Sequence, residues 1–377
     1  MITLTTAGES HGKGLFAIIE GMPQGLTLDL NQINAALCRR QSGYGRGARQ
    51  QIERDCVEIL SGVRDLMTLG SPITLAVWNR DYENWKDTMA PEGCDKSKHK
   101  VECVRPGHAD LAGMKKFALT DARDVLERAS ARETAVRVAA GEIFRQLLCA
   151  LKIEVTGFVR AIGTSQDSAT YSFEQIQSGR SDTLCMLDKG TEESAQKEID
   201  CAKAEGDTLG GVIELRVKGL KSGFGSPMTY REKLDARLAG ALMSVQAVKG
   251  VEVGCGFALA AKKGSEVHDE IYFEKGAFAR GSNRAGGIEG GMSNGEEIIL
   301  RAAMKPIPTL MQGLNSVNFN SKESAKAAAE RSDVCAVPAC EVVCESAILC
   351  ELAKVVMERL GGDTLTQLKN RYGEIEA

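Results

Sequence analysis

Four histidines are this chain's ready means of moving protons near neutral pH, and two of them, His11 and His108, stand in glycine-flanked loops, Gly8-Glu-Ser-His-Gly12 and Arg105-Pro-Gly-His-Ala-Asp110. Loops on a rigid scaffold commonly present acids and bases, so each is a candidate general acid. A single loop histidine is more often a surface or structural residue, and His99 in Lys96-Ser-Lys-His-Lys100 and His268 in Glu266-Val-His-Asp269 read as solvated positions without a role. Arginines gather around the same loops. Arg40, Arg46 and Arg49 flank Gly43-Tyr-Gly-Arg-Gly47, Arg105 adjoins His108, and Arg123, Arg128 and Arg132 surround Ser130. A guanidinium fork matches carboxylate and phosphate geometry, so this set suits a compact ligand with several such groups. The alternative is a scatter of separate surface ion pairs.

Lys305-Pro-Ile-Pro-Thr309 adds a cation, a hydroxyl and a proline-stiffened backbone, while the glycines of 286–295 permit close approach of main chain to a flat ligand. Other chemistries are disfavoured. No Gly-x-Gly-x-x-Gly follows a strand, and neither a Gly-x4-Gly-Lys-Ser/Thr phosphate loop nor a Gly-x-Ser-x-Gly elbow is present. The twelve cysteines form no Cys-x-x-Cys pair and have no histidine at ligand spacing, so they read as free thiols and no metal is expected. Cys340 and Cys344 can share a helical face as small buried residues.

Composition narrows the partners. With 47 basic against 51 acidic residues and only 5% aromatics, the chain lacks both the broad basic surface and the stacking platforms of a polynucleotide binder. No basic-then-apolar leader and no run of membrane-spanning length occur, which favours a cytoplasmic enzyme without a membrane partner.

The elements that position these residues are mixed. Alternation at 2–6 and 15–19 predicts two strands around the His11 loop, and Asp29 is placed to cap a helix over about 30–40. Strands follow at 58–60 and 73–78, then an exposed charged stretch at 81–100. Ser130 and Glu133 have capping-box spacing and predict a helix start whose free N–H groups favour an anion. Strands are expected at 153–162, 210–217, 251–257 and 298–304, and helices at 234–248 and from beyond Asp333 to Leu360. The segment 165–206 reads as a peripheral insertion, and the stretch after 362 as a polar tail. No repeat or linker divides the chain, so a single domain is expected.

Six motifs taken together carry a resemblance: Gly8-Glu-Ser-His-Gly12, Gly43-Tyr-Gly-Arg-Gly47, Arg105-Pro-Gly-His-Ala-Asp110, Ser130-Ala-Arg-Glu-Thr-Ala135, Ala247-Val-Lys-Gly-Val-Glu252 and Gly286-Gly-Ile-Glu-Gly-Gly-Met-Ser293. In this order, and from near residue 3 to about 360, the chain resembles the chorismate synthase family. The resemblance implies an α+β layered sandwich of antiparallel sheets and helices, a homotetramer, and reduced FMN as cofactor. It also implies a lyase that eliminates phosphate from 5-enolpyruvylshikimate 3-phosphate to give chorismate, on the route to aromatic amino acids. By resemblance, His11 protonates the leaving phosphate, His108 stabilises the reduced flavin near N1, and Asp333 works beside N5. Ser10, Arg40, Arg46, Arg49 and Arg132 would hold the substrate. Arg128, Ala129, Ser130, Gln246, Ala247, Gly290, Lys305, Pro306, Ile307, Pro308, Thr309 and Arg331 fall on flavin positions. The family usually has serine at 129, asparagine at 246, and histidine and proline at 332 and 334. No extra region suggests that the chain reduces its own flavin with NADPH. Two rival readings are a flavin protein without lyase activity and a module that binds anionic metabolites or single-stranded nucleic acid.

Overall fold

The computed structural model describes residues 1–47, 54–274, 276–328 and 333–375. The alternating stretches at the amino terminus form β1 (Thr3–Ala7) and β2 (Gly14–Glu20), which join β3 (Glu58–Ser61) and β4 (Ile73–Trp78) in an antiparallel sheet of order β1-β2-β4-β3. Its inner face carries Leu15, Ala17, Ile19, Ile73, Leu75 and Val77, all buried at period two. A second antiparallel sheet has the order β8-β9-β7-β5-β6, built from β5 (Glu154–Ile162), β6 (Ser165–Gln166), β7 (Gly211–Lys218), β8 (Val248–Val253) and β9 (Ile298–Met304).

Eight helices matter here: α1 (Leu30–Gln41), α2 (Asp110–Phe117), α3 (Arg123–Ala129), α4 (Thr134–Cys149), α5 (Lys189–Glu205), α6 (Leu234–Met243), α7 (Val337–Leu360) and α8 (Leu365–Gly373). Helix α4 packs on β2 and β4, α7 packs on β5 and β7, and α1 lies against both helices, so a helical layer fills the space between the sheets. This is the expected layered α+β sandwich. Asp29 caps α1 by accepting from the Asn31 N–H. Among the described residues no helix is long and apolar enough to cross a membrane, and no group of three or more His, Cys, Asp or Glu could hold a metal. Cys340 and Cys344 lie buried on one face of α7, their sulfurs 3.8 Å apart.

Several expectations require correction. The stretch after Gly362 is not a bare polar tail, because α8 has a Thr364–Gln367 capping box and buries Leu368 and Tyr372. Helix α6 stops at Met243, and Ala247 takes a left-handed φ of 68° where the chain turns into β8. The segment 165–206 is tied into the body of the protein. Leu184, Met186, Ala195 and Ile199 join the main core, and the Val159 N–H donates to the Cys185 carbonyl at 2.8 Å. At 81–100, Arg80–Asn84 and Lys86–Met89 form short helices that place Trp85 for use.

Two features of α7 yield measurable consequences. It crosses α4 so closely at Gly141 that a Cβ there would lie 2.5 Å from Ser346 Cβ and 2.8 Å from Ser346 Cα. Gly141→Ala should therefore cost about 1–3 kcal/mol by overpacking, read as a lower urea midpoint. One turn apart, Glu341 and Glu345 are buried in the helical layer beneath Arg39, Arg145 and Arg180. The three guanidiniums outweigh burial at Glu345 and hold its carboxyl well below the usual range, whereas burial and repulsion from Glu345 push Glu341 up to about 7. A glutamate in the unfolded chain titrates near ~4.3, so the folded value of Glu341 is raised. Its contribution to stability is thus complete below about 4 and is lost as pH rises through about 7. Wild-type stability should fall between pH 5.5 and 8, and Glu341→Gln should remove about 1–3 kcal/mol of that fall in denaturant titrations at the two pH values.

Candidate active site

The cavity of about 620 Å³ opens where several loops meet the first turns of α4 and α7. The β1–β2 loop enters it through Ser10 and His11. Gly8 has a φ of 107°, and a Cβ there would meet the Gly14 carbonyl oxygen at 2.3 Å, so the tight return of this loop requires glycine. Asn79, at the end of β4, fixes the turn by donating from Nδ2 to the carbonyls of Glu9 and Gly12. Glu127 of α3 holds the loop from the other side. Its carbonyl accepts the Ser10 N–H at 3.0 Å, its Oε2 accepts the His11 N–H at 2.7 Å, and its Oε1 lies 2.7 Å from His11 Nδ1. Trp85 stacks on the imidazole with ring centroids 3.8 Å apart.

His108 is held in the same manner. Asp110, the first residue of α2, has Oδ1 2.5 Å from His108 Nδ1 and accepts from Arg105 Nε through Oδ2 at 2.8 Å. Burial raises the Asp110 carboxyl, but His108 and Arg105 outweigh it and keep the group well below the usual carboxylate range. Arg105 also donates to Thr309 Oγ1, which joins the His108 loop to the Lys305–Thr309 stretch. Lys305 reaches the Gly107 carbonyl and strengthens the same junction. A small separate cluster, Val101, Val104, Met114, Ala122 and Leu126, packs α2 and α3 together and so sets the places of both Asp110 and Glu127.

Cations line a third wall. Arg132 Nη1 lies 2.6 Å from Asp55 Oδ2, and Arg40 Nη1 lies 3.4 Å from the same oxygen. Arg40 also donates to Thr134 Oγ1 and the Ala131 carbonyl. Arg46 pairs with Asp333 at 2.8 Å, and the Gly47 N–H donates to the other Asp333 oxygen. Three guanidiniums thus face two carboxylates. Burial draws Arg40 down to about 10, and the positive charges of Arg132 and Arg46 add to this against the pull of Asp55 and Asp333. An entering anion would relieve that crowding.

Of the residues named from sequence, the cavity is lined by Ser10, His11, Arg40, Arg46, His108, Ala129, Ser130, Arg132, Gln246, Ala247, Lys305, Ile307, Pro308, Thr309 and Asp333. Pro306 is not in the lining. Arg128 turns away, donating to the Thr6 hydroxyl at 2.7 Å and the Gly8 carbonyl at 3.1 Å, and lines a different cleft with Arg137 and Arg237. Gly290 lies in the turn of a small hairpin, Ile288–Glu289 with Met292–Ser293, also outside the cavity. Arg49 and Arg331 lie outside the described residues. The capping box at Ser130 does not form: a 3₁₀ turn, Ala131–Glu133, precedes α4, and Ser130 accepts from the Arg132 N–H. Glu133 instead accepts from Gln246 Nε2 at 2.8 Å. His99 is exposed as expected, yet its ring packs on Trp85 at 4.3 Å. Glu127, Asp110, Asp55, Asn79 and Trp85 were not singled out from sequence. Only Asp110, two residues from His108, carried a local signal.

The remaining wall is apolar, with Val245, Met304, Ile307, Pro308, Ala339 and Val343. Among the described residues, Arg46 Nε and Gln246 Oε1 are buried at the cavity without a hydrogen-bond partner. A flat aromatic group with polar edges suits such a surface.

Two imidazoles gripped by carboxylates beside a cationic, half-apolar cavity equip an enzyme for proton transfer on a compact polyanion. The family model for chorismate synthase matches residues 2–357. A chorismate synthase of Geotalea uraniireducens is 53% identical over 384 aligned positions, covering 99% of this chain and 98% of that protein. One from Alkaliphilus metalliredigens is 50% identical, with the same coverage of each chain. A crystal structure of chorismate synthase superposes with a TM-score of 0.79 at 37% identity, covering 99% of this chain and 96% of that one. The chain belongs to the chorismate synthase family.

The cation wall supports a direct test. Inorganic phosphate should raise the melting temperature in proportion to the logarithm of its concentration above its dissociation constant, and Arg132→Gln should lose at least half of that rise in differential scanning fluorimetry.

Proposed function

We propose that this cavity binds 5-enolpyruvylshikimate 3-phosphate together with reduced FMN and is the place where phosphate leaves. As a member of its family the protein is a lyase, removing phosphate by 1,4-anti elimination to give chorismate for aromatic amino acid biosynthesis. The observation that carries the assignment of this site is the placement of two carboxylate-held histidines at one cationic cavity.

The substrate has one phosphate and two carboxylates, and the cofactor has another phosphate. Arg40, Arg46 and Arg132, with Ser10, meet the substrate's anions, and their fixed ion pairs mean that little ordering is left for the moment of binding. Ala129, Ser130, Gln246, Ala247 and the Lys305–Thr309 stretch offer the flavin an apolar face, backbone groups and one ammonium. Reduced flavin, when bound, supplies an electron-rich ring that favours departure of the phosphate. His11 donates a proton to the phosphate oxygen as the C–O bond breaks, which removes the penalty of expelling a fully charged group. His108, held by Asp110 and beside Arg105, is assigned to stabilise the reduced flavin near N1, and Asp333, paired with Arg46, to work beside N5. The apolar residues keep water from the reacting carbons. A cytoplasmic homotetramer of single-domain chains completes this reading.

An anaerobic assay with chemically reduced FMN tests it: purified protein should convert the enolpyruvyl phosphate substrate to chorismate and phosphate. His11→Ala and His108→Ala should each remain folded and lower turnover about 10- to 1000-fold. Wild-type turnover in either variant removes the role given to that histidine. Oxidation of NADPH by the flavin-loaded protein would show that it also reduces its own cofactor, which is not expected.

A further inference from the structure

We propose that Glu127 is the positioning residue for His11, fixing the imidazole with Nδ1 protonated so that Nε2 faces the leaving phosphate. This rests on the assignment of His11 as the acid. Glu127 is only 2% exposed and lies 116 residues from His11 in sequence, yet its two carboxylate oxygens meet both the backbone N–H and Nδ1 of that one residue at 2.7 Å. With the Ser10 N–H on its carbonyl, one glutamate makes three bonds to two consecutive loop residues. A simple loop staple needs only the backbone bonds. The third aims the ring.

Oε1 of Glu127 also accepts from Arg123 Nη1 at 3.2 Å, and Arg123 is held in turn by the His99 carbonyl and lies 5.2 Å from the Trp85 ring centre. Trp85, anchored through Nε1 to Asp81 at 3.1 Å, covers the imidazole. Rotation of the ring is therefore blocked by a bond at one edge and a stacked plane on one face. Charged groups near the imidazole include Glu127 with Arg123 behind it, Asp81 bonded to Trp85, Glu9 and Lys13 on its own loop, and Arg132, which lines the same cavity. Burial would raise the Glu127 carboxyl, but His11 and Arg123 hold it below its ordinary value, so it remains a carboxylate through the working range. A fixed carboxylate at Nδ1 fixes which nitrogen retains its hydrogen once the proton has been donated.

The test combines histidine ¹⁵N NMR with steady-state kinetics on the flavin-loaded enzyme. Four histidines make assignment of His11 tractable. At alkaline pH the wild-type His11 signal should be that of the Nδ1–H tautomer, and an Nε2–H tautomer would overturn the proposal without recourse to any variant. Glu127→Gln preserves size and an acceptor but removes the charge. It should lower kcat about 10- to 100-fold, change KM less than about 3-fold, and mix the Nε2–H tautomer into the His11 signal, because an amide can accept at only one of the two positions where Glu127 meets His11. Glu127→Asp should return kcat and the tautomer toward wild type. A Glu127→Gln variant that loses kcat while His11 keeps the pure Nδ1–H tautomer would show a merely structural glutamate and overturn the proposal, as would wild-type kinetics. If His11→Ala retained full turnover, the catalytic assignment would fail, and the His11 tautomer in Glu127→Gln would show separately whether Glu127 fixes the ring.

Discussion

Asp55 carries a constraint on which the active cavity depends. Arg40 and Arg132 come from different elements, are nearly fully buried, and share one oxygen of this one carboxylate. Buried cations need a counter-charge, and breaking such a pair commonly costs about 3–5 kcal/mol because a charge is left stranded. A site for a phosphate needs the opposite condition, cations that are not fully cancelled. One carboxylate between two guanidiniums meets both demands. It also sets the architecture, since α1, the segment leading to β3, and the turn before α4 must converge for the three groups to meet. Arg132 extends the link to Asn79, which clamps the His11 loop.

The histidines follow from a related arrangement. Asp110 begins α2 and Glu127 lies within α3, and these two short helices share a small core apart from the main one. Their approach is close: a Cβ on Gly113 would lie 2.5 Å from Val125. A single rigid unit therefore carries both carboxylates, while the imidazoles come from loops on its edge and on the first sheet. The main sandwich supplies the cation wall and the apolar wall. The cavity is the seam between these two bodies of side chains, which explains why residues from so many parts of the sequence reach it.

Much of the sandwich was legible in the sequence because alternation and helical periodicity are local. Strands at 15–19 and 73–78 and the Asp29 cap followed from neighbouring residues alone. Elements whose stability comes from docking were missed. Helix α8 looks polar except for Leu365, Leu368 and Tyr372, and α3 lies in a stretch whose charges conceal that Glu127 is pointed inward. Most of the candidate site was reached through six motifs together, but motifs name residues without their partners. Trp85 against His11 and Asp55 between two arginines are contacts between residues from different elements, with no periodic trace. Arg128 illustrates the converse, since its neighbours Ala129 and Ser130 line the cavity while its own side chain goes to Thr6.

If phosphate leaves from this cavity, as proposed, its excess of positive charge must also be limited, because the departing anion is still a ligand. Cations that stabilise a departing anion also retain it, and binding that is equal before and after bond breaking does nothing for turnover. Asp55 and Asp333 temper Arg40, Arg132 and Arg46, so that an anion meets partly committed guanidiniums. The differential part of the interaction then falls to a group whose charge changes during the reaction. A histidine that enters as an imidazolium and leaves neutral holds phosphate more weakly after donating its proton than before. In the role proposed for His11, whose ring a buried carboxylate holds, that change would occur at one nitrogen and without movement of the loop.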